Sequence, residues 1–175
     1  MNNIEIKFAI NSRKDLEQLL VADSDCRFIE TMQQTDIYFC TQTRRLKLRM
    51  FPDGKAELIY YSRENRAEAR HSYYQIYASS DPDRLRMVLT ESLGVKTIVI
   101  KERKLWMFKN VRIHLDTITN LGKFIEFESV IDQHHPEEVA SRNLQEILDR
   151  FSSYTLIPIP VSYADLLLQR ESKDA

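Results

Sequence analysis

Val111-Arg-Ile-His-Leu-Asp116, followed closely by Gly122-Lys-Phe-Ile-Glu-Phe-Glu128, alternates between polar and apolar side chains. Strict alternation over such short runs predicts two neighbouring β-strands. The apolar face of the pair carries Val111, Ile113, Leu115, Ile125 and Phe127. The opposite face gathers cations and carboxylates together, namely Arg112, His114, Asp116, Glu126 and Glu128. An explanation for both signs of charge on one face of adjacent strands would indicate the fold.

The same division recurs along the chain. Like-facing charged positions on other predicted strands are Glu5 and Lys7, Lys47 and Arg49, Glu57 and Arg63, and Lys101 and Arg103. A half-exposed antiparallel sheet that turns polar residues to water would explain any single strand. Six strands with Lys, Arg, Glu and Asp at these positions favour a sheet curled into a barrel. Its inside would be charged, and its apolar outside would be covered by helices.

Other segments complete an α+β pattern of strands interrupted by helices. Helices are predicted from Ser12 to Leu20, from Asp81 to Gly94, from Pro136 to about Phe151, and as a short last one over Tyr163 to Gln169. Further strands are predicted at Asn3 to Ile10, Phe28 to Gln34 leading to Thr35 to Cys40, Leu46 to Met50, Ala56 to Arg63, Ser72 to Ile76, Thr97 to Lys101, Leu105 to Phe108 and Lys123 to Val130. Residues 64–71 read as a charged loop.

The bulk properties describe an ordinary soluble globular chain. Its 175 residues, 43% of them hydrophobic, suit a single domain over residues 1–175 with a substantial core. The net charge of -1 gives no general attraction for nucleic acid. Cys26 and Cys40 lack metal-site spacing and read as half-buried residues. There is no apolar signal sequence and no run of roughly 18 apolar residues, so a cytoplasmic protein is expected.

A charged interior requires a ligand of matching charge, because an unpaired charge removed from water costs several kcal/mol. The inward set has seven cations and five carboxylates: Lys7, Lys47, Arg49, Arg63, Lys101, Arg103 and Arg112 against Glu5, Glu57, Asp116, Glu126 and Glu128. The surplus of two positive charges favours a polyanion. The clustered carboxylates favour a hard divalent cation, Mg²⁺ or Mn²⁺. A magnesium triphosphate, with roughly two net negative charges, would neutralise this surplus.

Several motifs in order resemble the CYTH superfamily, and most closely its branch named for class IV adenylyl cyclases. They are Asn3-Ile-Glu-Ile-Lys7, close to the usual Glu-x-Glu-x-Lys, then Thr35-Asp-Ile-Tyr-Phe39, Arg45-Leu-Lys-Leu-Arg49, Asp53-Gly-Lys-Ala-Glu-Leu-Ile-Tyr-Tyr61, Leu93-Gly94, Lys101-Glu-Arg103, Val111-Arg-Ile-His-Leu-Asp116, Leu121-Gly-Lys-Phe-Ile-Glu-Phe-Glu128 and Ser162-Tyr-Ala-Asp-Leu-Leu167. The resemblance implies a triphosphate tunnel metalloenzyme. Its fold would be a closed or nearly closed eight-stranded antiparallel β-barrel with helices packed outside.

The resemblance also implies roles for the inward residues. Metal-binding carboxylates would be Glu5, Glu126 and Glu128, with Asp116 nearby. Lys7 and Asp116 would be catalytic. Phosphate-binding cations would be Lys47, Arg49, Arg63, Lys101, Arg103 and Arg112, and Lys7 would add to them. Two positions depart from the family pattern: Asn3 replaces the first Glu of the signature, and Ser62 stands where other members have lysine.

Three functions follow as expectations. The first is a class IV adenylyl cyclase, which converts ATP to cyclic AMP and pyrophosphate. The second is a tripolyphosphatase or thiamine triphosphatase, and the third is a non-catalytic polyphosphate or nucleotide binder, favoured by Asn3 and Ser62. No membrane or nucleic-acid partner is expected, and a homodimer is common in the branch.

Aromatic and histidine side chains leave the choice between these functions open. Tyr60, Tyr61 and Tyr73 could stack on a purine, although tyrosines in strands usually serve packing. His114 could relay a proton or act as a hydrogen-bonded spacer. His134-His135-Pro136 reads as a helix-entry turn.

Overall fold

The computed structural model describes residues 2–174. In chain order its elements are β1 (Asn2–Ile10), α1 (Arg13–Ala22), β2 (Cys26–Phe39), β3 (Arg45–Met50), β4 (Ala56–Arg63), β5 (Arg70–Ser79), α2 (Pro82–Leu93), β6 (Val95–Phe108), β7 (Val111–Ile118), β8 (Gly122–Ile131), α3 (Glu137–Arg150), β9 (Ile157–Pro158) and α4 (Tyr163–Asp174). None of the helices within these residues is both long and apolar enough to cross a membrane.

Eight antiparallel strands form a ring. The order runs β5-β4-β3-β2-β6-β7-β8-β1, and β1 also pairs with β5, which closes the sheet. Strand β8 pairs with the whole of β1, whereas β5 pairs only with its first part, Asn2 to Glu5. The short β9 pairs with the far end of β1, at Phe8 and Ala9. The predicted eight-stranded antiparallel barrel is confirmed.

Two strands are longer than the sequence pattern indicated. Strand β2 is continuous over 14 residues, and so is β6, where two separate strands were predicted. They pair along most of their length, with an irregularity between Phe28 and Glu30. This bulge changes which side chains of β2 face inward. Alternation of polar and apolar residues therefore does not reveal that β2 is one continuous strand.

The main core lies outside the barrel, between its apolar outer face and helices α1 and α3. Leu16 and Leu20 of α1 and Leu144 and Ile147 of α3 pack into a cluster with outward residues of four strands, including Ile4, Phe8, Trp106, Phe108, Val111, Ile113, Leu115, Ile125 and Phe127. On another side of the ring, α2 lays Leu85 and Leu89 over Ile37, Phe39, Leu48 and Ala56. These three helices pack outside the ring, as predicted.

Helix α4 is placed differently, because it closes one end of the barrel. Tyr163, Ala164 and Leu167 pack among apolar inward residues at that end, namely Tyr38, Ile59, Tyr61, Val99, Ile118 and Phe124. The bore is therefore blocked behind these side chains and opens at the opposite end. The short predicted last helix thus contributes directly to the shape of the interior.

Side chains cap the start of two helices, at the predicted first residues Ser12 and Asp81. Ser12 accepts a hydrogen bond from the amide of Asp15, and Asp81 accepts one from the amide of Arg84. Gly94 ends α2 with a φ of 73°, which glycine adopts without the steric cost that a side chain would bring.

Candidate functional site

A cavity of about 400 Å³ occupies the bore of the barrel. All seven cations predicted to face inward line it, together with four of the five predicted carboxylates: Lys7, Lys47, Arg49, Arg63, Lys101, Arg103, Arg112, Glu5, Glu57, Glu126 and Glu128. Asp116 is fully buried beside it. Strand alternation therefore places these residues as the sequence indicated, because each strand of a closed barrel turns every second side chain inward.

One pole of the cavity is basic and is organised around Asp36. Its carboxylate accepts hydrogen bonds from Lys47 Nζ at 2.8 Å and Lys101 Nζ at 2.7 Å. Arg49 binds it bidentately, at 2.7 Å and 3.0 Å. Burial alone would raise the pKa of Asp36, but the charges of Arg49, Lys101 and Lys47 hold it well below its usual range. One carboxylate thus fixes three cations in place.

The other pole is acidic. His114, Glu126 and Glu128 each offer one ligand atom within 4.8 Å of the others. Glu5 lies directly opposite Glu128 in the β1–β8 ladder. Burial, followed by the negative charge of Glu126, raises the pKa of Glu5. These carboxylates are close enough to repel one another, a repulsion that a bound divalent cation would relieve.

Arg103 joins the two poles. Its guanidinium binds Asp116 bidentately, at 2.7 Å and 2.6 Å, and reaches Glu126 at 3.3 Å. The Tyr163 hydroxyl also donates to Asp116, at 2.9 Å. Helix α4 is therefore bonded to the charged network of the bore. Asp116 positions Arg103 from behind the cavity wall.

Arg63 and Arg70 hold Glu5 from a third side, at 3.0 Å and 3.4 Å from its Oε1. Arg70 was predicted to lie in a charged loop, yet it begins β5 and is 1% exposed. Together, Asp36 and Arg70 add one charge of each sign to the predicted set. The predicted surplus of two positive charges is therefore unchanged.

Two lysines of the cavity, Lys7 and Lys101, have lowered pKa values because burial disfavours their charged forms. Burial lowers the pKa of Lys7, although Glu126 lies 3.1 Å away and opposes that shift. Burial also lowers the pKa of Lys101 well below its usual value, despite the contact with Asp36. A polyanion entering the bore would favour the charged form of both side chains.

Binding of a polyanion should weaken above pH 8 because of Lys47. Burial, with the neighbouring Arg49, lowers its pKa to about 8. The protonated fraction falls roughly tenfold between pH 7 and pH 9, so we expect the affinity for tripolyphosphate to fall by up to about tenfold. Isothermal titration calorimetry at the two pH values checks this, and Lys47→Arg should flatten the response. An equal pH dependence in Lys47→Arg would assign the effect to other groups.

The lowered pKa of Lys47 also affects the free energy of unfolding. Ligand affinity falls as the pH rises, whereas stability increases. The unfolded chain keeps Lys47 protonated to higher pH than the folded chain does. Between about pH 8 and pH 10 the unfolded state therefore binds more protons, and this residue contributes increasing stability as the pH rises.

The departures from the expected pattern fall in distinct places. Asn3 lines the bore and is buried, and its Oδ1 has no hydrogen-bond partner within residues 2–173. Ser62 faces a different cavity, outside the bore. Tyr60 and Tyr73 are exposed on the outer face of β4 and β5 and do not contribute to the bore. Tyr61 does line it, with its hydroxyl 3.5 Å from that of Tyr38.

The donor set at the acidic pole fits a divalent metal ion. Two carboxylates supply oxygen ligands, and the buried Nδ1 of His114 lies 3.5 Å from Glu126 and 3.8 Å from Glu128. Carboxylates suit Mg²⁺ and Mn²⁺, and an imidazole ligand is better suited to the softer Mn²⁺. Glu5 lies at the edge of this group, and its raised pKa is consistent with an incomplete balance of charge.

The chain matches one protein-family model and resembles several solved structures. The family model described as CYTH domain matches residues 1–154. No curated protein matches the chain significantly. Among solved structures, protein PH1012 from Pyrococcus horikoshii OT3 superimposes with a TM-score of 0.81 at 23% identity, covering 94% of this chain and 98% of its own.

Two further solved structures carry functional descriptions. A candidate adenylate cyclase from Vibrio parahaemolyticus has a TM-score of 0.73 at 19% identity, with 95% of this chain and 97% of its own covered. The candidate adenylyl cyclase HpAC1 from Hippeastrum, described as having a dominant triphosphatase activity, has a TM-score of 0.63 at 16% identity, covering 97% and 96%. At these identities the likeness concerns the fold.

Proposed function

We propose that this chain, which belongs to the CYTH domain family, is a single-domain, metal-dependent phosphoryl-transfer enzyme acting on a triphosphate-bearing substrate. The observation that carries the proposal is the juxtaposition of a basic pole and an acidic pole in one bore that is closed at one end. A polyanion alone would use only the first pole, and a metal ion alone only the second. We further propose that the reaction takes place in the cytoplasm, where nucleoside triphosphates and magnesium are abundant.

The basic pole suits the phosphate groups. Lys47, Arg49 and Lys101 share the single carboxylate of Asp36, so they keep donors available for phosphate oxygens. Arginine can bind two such oxygens at once, which fixes the orientation of the chain of phosphates. Arg103 lies between the poles and Arg63 beside Glu5, where each could contact the ligand as well. Catalysis of phosphoryl transfer relies mainly on positioning and charge neutralisation of this kind.

The acidic pole suits the metal. Glu126, Glu128 and His114 would hold it, with Glu5 adjacent. When bound, Mg²⁺ or Mn²⁺ would neutralise phosphate charge and polarise the phosphorus that is attacked. Arg112 lies 3.8 Å from Glu128 toward the open end, where it could steer a polyanion inward.

Lys7 is the side chain best placed to move a proton. It is buried, lies 3.1 Å from Glu126, and has a pKa lowered by burial. A neutral Lys7 amine could accept the proton of an attacking hydroxyl group. Asp116 would act through Arg103, which it holds bidentately, so it would be a positioning residue.

Cyclisation of ATP to cyclic AMP and pyrophosphate is the first reaction to test. The open half of the cavity is lined by the apolar side chains Met32, Phe51, Ile76 and Leu105, which could receive an organic group attached to the triphosphate. Hydrolysis of tripolyphosphate or thiamine triphosphate is the second candidate. The favourable observation is the cavity volume of about 400 Å³, which accommodates a small triphosphate without requiring a base-specific pocket.

Phosphorus NMR separates these reactions in one experiment. The purified protein is incubated with Mg²⁺ or Mn²⁺ and, in turn, ATP, thiamine triphosphate and tripolyphosphate. Pyrophosphate together with a cyclic nucleotide from ATP identifies a cyclase. Release of inorganic phosphate identifies a triphosphatase.

The controls distinguish an enzyme from a binder. The variant Glu102→Gln removes a carboxylate on the outside of the barrel, where it contacts Arg13 and Gln33, and should turn over normally. Binding of tripolyphosphate with no turnover of any substrate, under either metal, would contradict the enzymatic proposal and identify a polyphosphate- or nucleotide-binding protein.

A further inference from the structure

A second cavity, of about 360 Å³, lies at the end of the barrel that α4 closes. The connection between β2 and β3, residues 40–44, forms one side of it, and the start of α4 forms another. Tyr38, Tyr61, Arg63 and Ser162 line both this cavity and the bore. The two spaces are therefore neighbours on opposite sides of one wall.

Positive charge dominates the second cavity. Arg44, Arg45, Arg63 and Lys96 line it, and its lining contains one carboxylate, Asp165. Arg63 is neutralised on the other side of the wall, where its guanidinium lies 3.0 Å from Glu5. Three cations therefore remain for the single carboxylate. This local excess stands out in a chain whose net charge is -1.

Arg44 is the clearest unmatched charge. No carboxylate within residues 2–173 lies within salt-bridge distance of its guanidinium, which instead sits 5.8 Å from the centre of the Tyr60 ring. The surrounding lining offers uncharged hydrogen-bonding groups: Thr41, Gln42, Thr43, Ser62 and Asn65. Cations interleaved with hydroxyl and amide groups are the chemistry that recognises phosphate oxygens.

Asp165 already occupies part of this environment. Its Oδ2 lies 3.2 Å from Arg45 Nη2, and its Oδ1 lies 3.8 Å from Lys96 Nζ. The same carboxylate accepts hydrogen bonds from the amide and hydroxyl of Ser162, which anchors it to the start of α4. An anion that binds here must compete with this carboxylate for Arg45 and Lys96, and would find Arg44 unengaged.

We propose that the second cavity is a binding site for a small phosphate anion, separate from the bore, with Arg44, Arg45 and Lys96 as its charged ligands and Asp165 as the group that opposes occupancy. The anion can be free orthophosphate or pyrophosphate, or the phosphate group of a mononucleotide. Its binding does not require turnover in the bore.

Site-resolved NMR of the metal-free protein tests this directly. Orthophosphate, pyrophosphate and AMP are each titrated into ¹⁵N-labelled protein, and the amides of residues 41–44 report on the second cavity. We expect saturable shifts of these amides, with pyrophosphate giving the largest response if the site takes a free anion. A response to AMP equal to that of pyrophosphate would identify a nucleotide phosphate as the ligand.

Paired variants give effects in opposite directions. Arg44→Ala combined with Lys96→Ala should weaken pyrophosphate binding at these amides at least about tenfold. Asp165→Asn should strengthen it severalfold, because the amide removes the competing charge. The matched control, Lys55→Ala with Arg84→Ala, removes two exposed cations elsewhere and should change nothing. Unshifted amides at 41–44, or equal affinity in all three variants, would overturn the proposal.

Discussion

Replacing Asp36 with asparagine is expected to lower the free energy of unfolding by about 3–5 kcal/mol. The reason is that Asp36 is fully buried and is the shared partner of Lys47, Arg49 and Lys101. An amide of the same shape keeps the packing but leaves three cations close together without their counter-charge. Urea unfolding, compared with the wild-type protein at pH 7 and low ionic strength, measures the loss.

The control and the pH dependence sharpen this prediction. Asp53→Asn removes a half-exposed carboxylate that pairs with Lys55, and should change stability by less than about 0.5 kcal/mol. Because the pKa of Asp36 is well below its usual value, its contribution is complete above about pH 4 and is lost as the pH falls further. Similar unfolding curves for the two variants at pH 7 would contradict the assigned role.

Tripolyphosphate should partly rescue Asp36→Asn. The ligand brings negative charge to the same three cations, so it should stabilise the variant more than it stabilises the wild-type protein. An equal shift of the unfolding midpoint in both would mean that the polyanion binds elsewhere.

Replacing Glu126 with glutamine is expected to reduce metal-dependent turnover at least about 100-fold. Glu126 offers an oxygen to the candidate metal group and lies 3.1 Å from Lys7 and 3.3 Å from Arg103. The amide would weaken the metal site and disturb the cation best placed to move a proton. Initial rates with Mn²⁺, measured on whichever triphosphate proves to be the substrate, check the loss.

Metal binding provides a readout that does not depend on the reaction. Calorimetry with Mn²⁺ alone should show affinity reduced by a similar factor in Glu126→Gln, and unchanged affinity in Glu102→Gln, whose carboxylate lies outside the barrel. Wild-type affinity for Mn²⁺ in Glu126→Gln would place the metal elsewhere, whatever happens to turnover.

Much of the candidate site was predictable because strand alternation is strict near the charged positions. Arg112 and His114 are two residues apart on β7, as are Glu126 and Glu128 on β8. The pairing of the two strands sets Arg112 opposite Glu128 and His114 opposite Glu126. Ring closure itself followed from the resemblance and from the charge pattern. The helix caps at Ser12 and Asp81 were readable from local composition.

The residues that sequence reasoning missed share a physical cause. Asp36 stands between uncharged residues, Gln33 to Thr35 before it and Ile37 to Phe39 after it, so no charge pattern marked it. Arg70 follows a run of charged residues that resembles a loop, and only its pairing with Glu5 across β1 and β5 explains its burial. Tyr163 contacts Asp116 because α4 packs into the end of the barrel. Strand or helix periodicity in the sequence does not predict such a tertiary contact.

The closure of the ring through β1 also sets the order in which this chain can fold. The first strand to leave the ribosome needs β5 on one side and β8 on the other, and β8 ends only at Ile131. Until then the nascent sheet has a free edge and a charged interior open to water. Such distant pairing is typical of slow folding. Synthesis is thus the stage at which chaperones would most benefit this barrel.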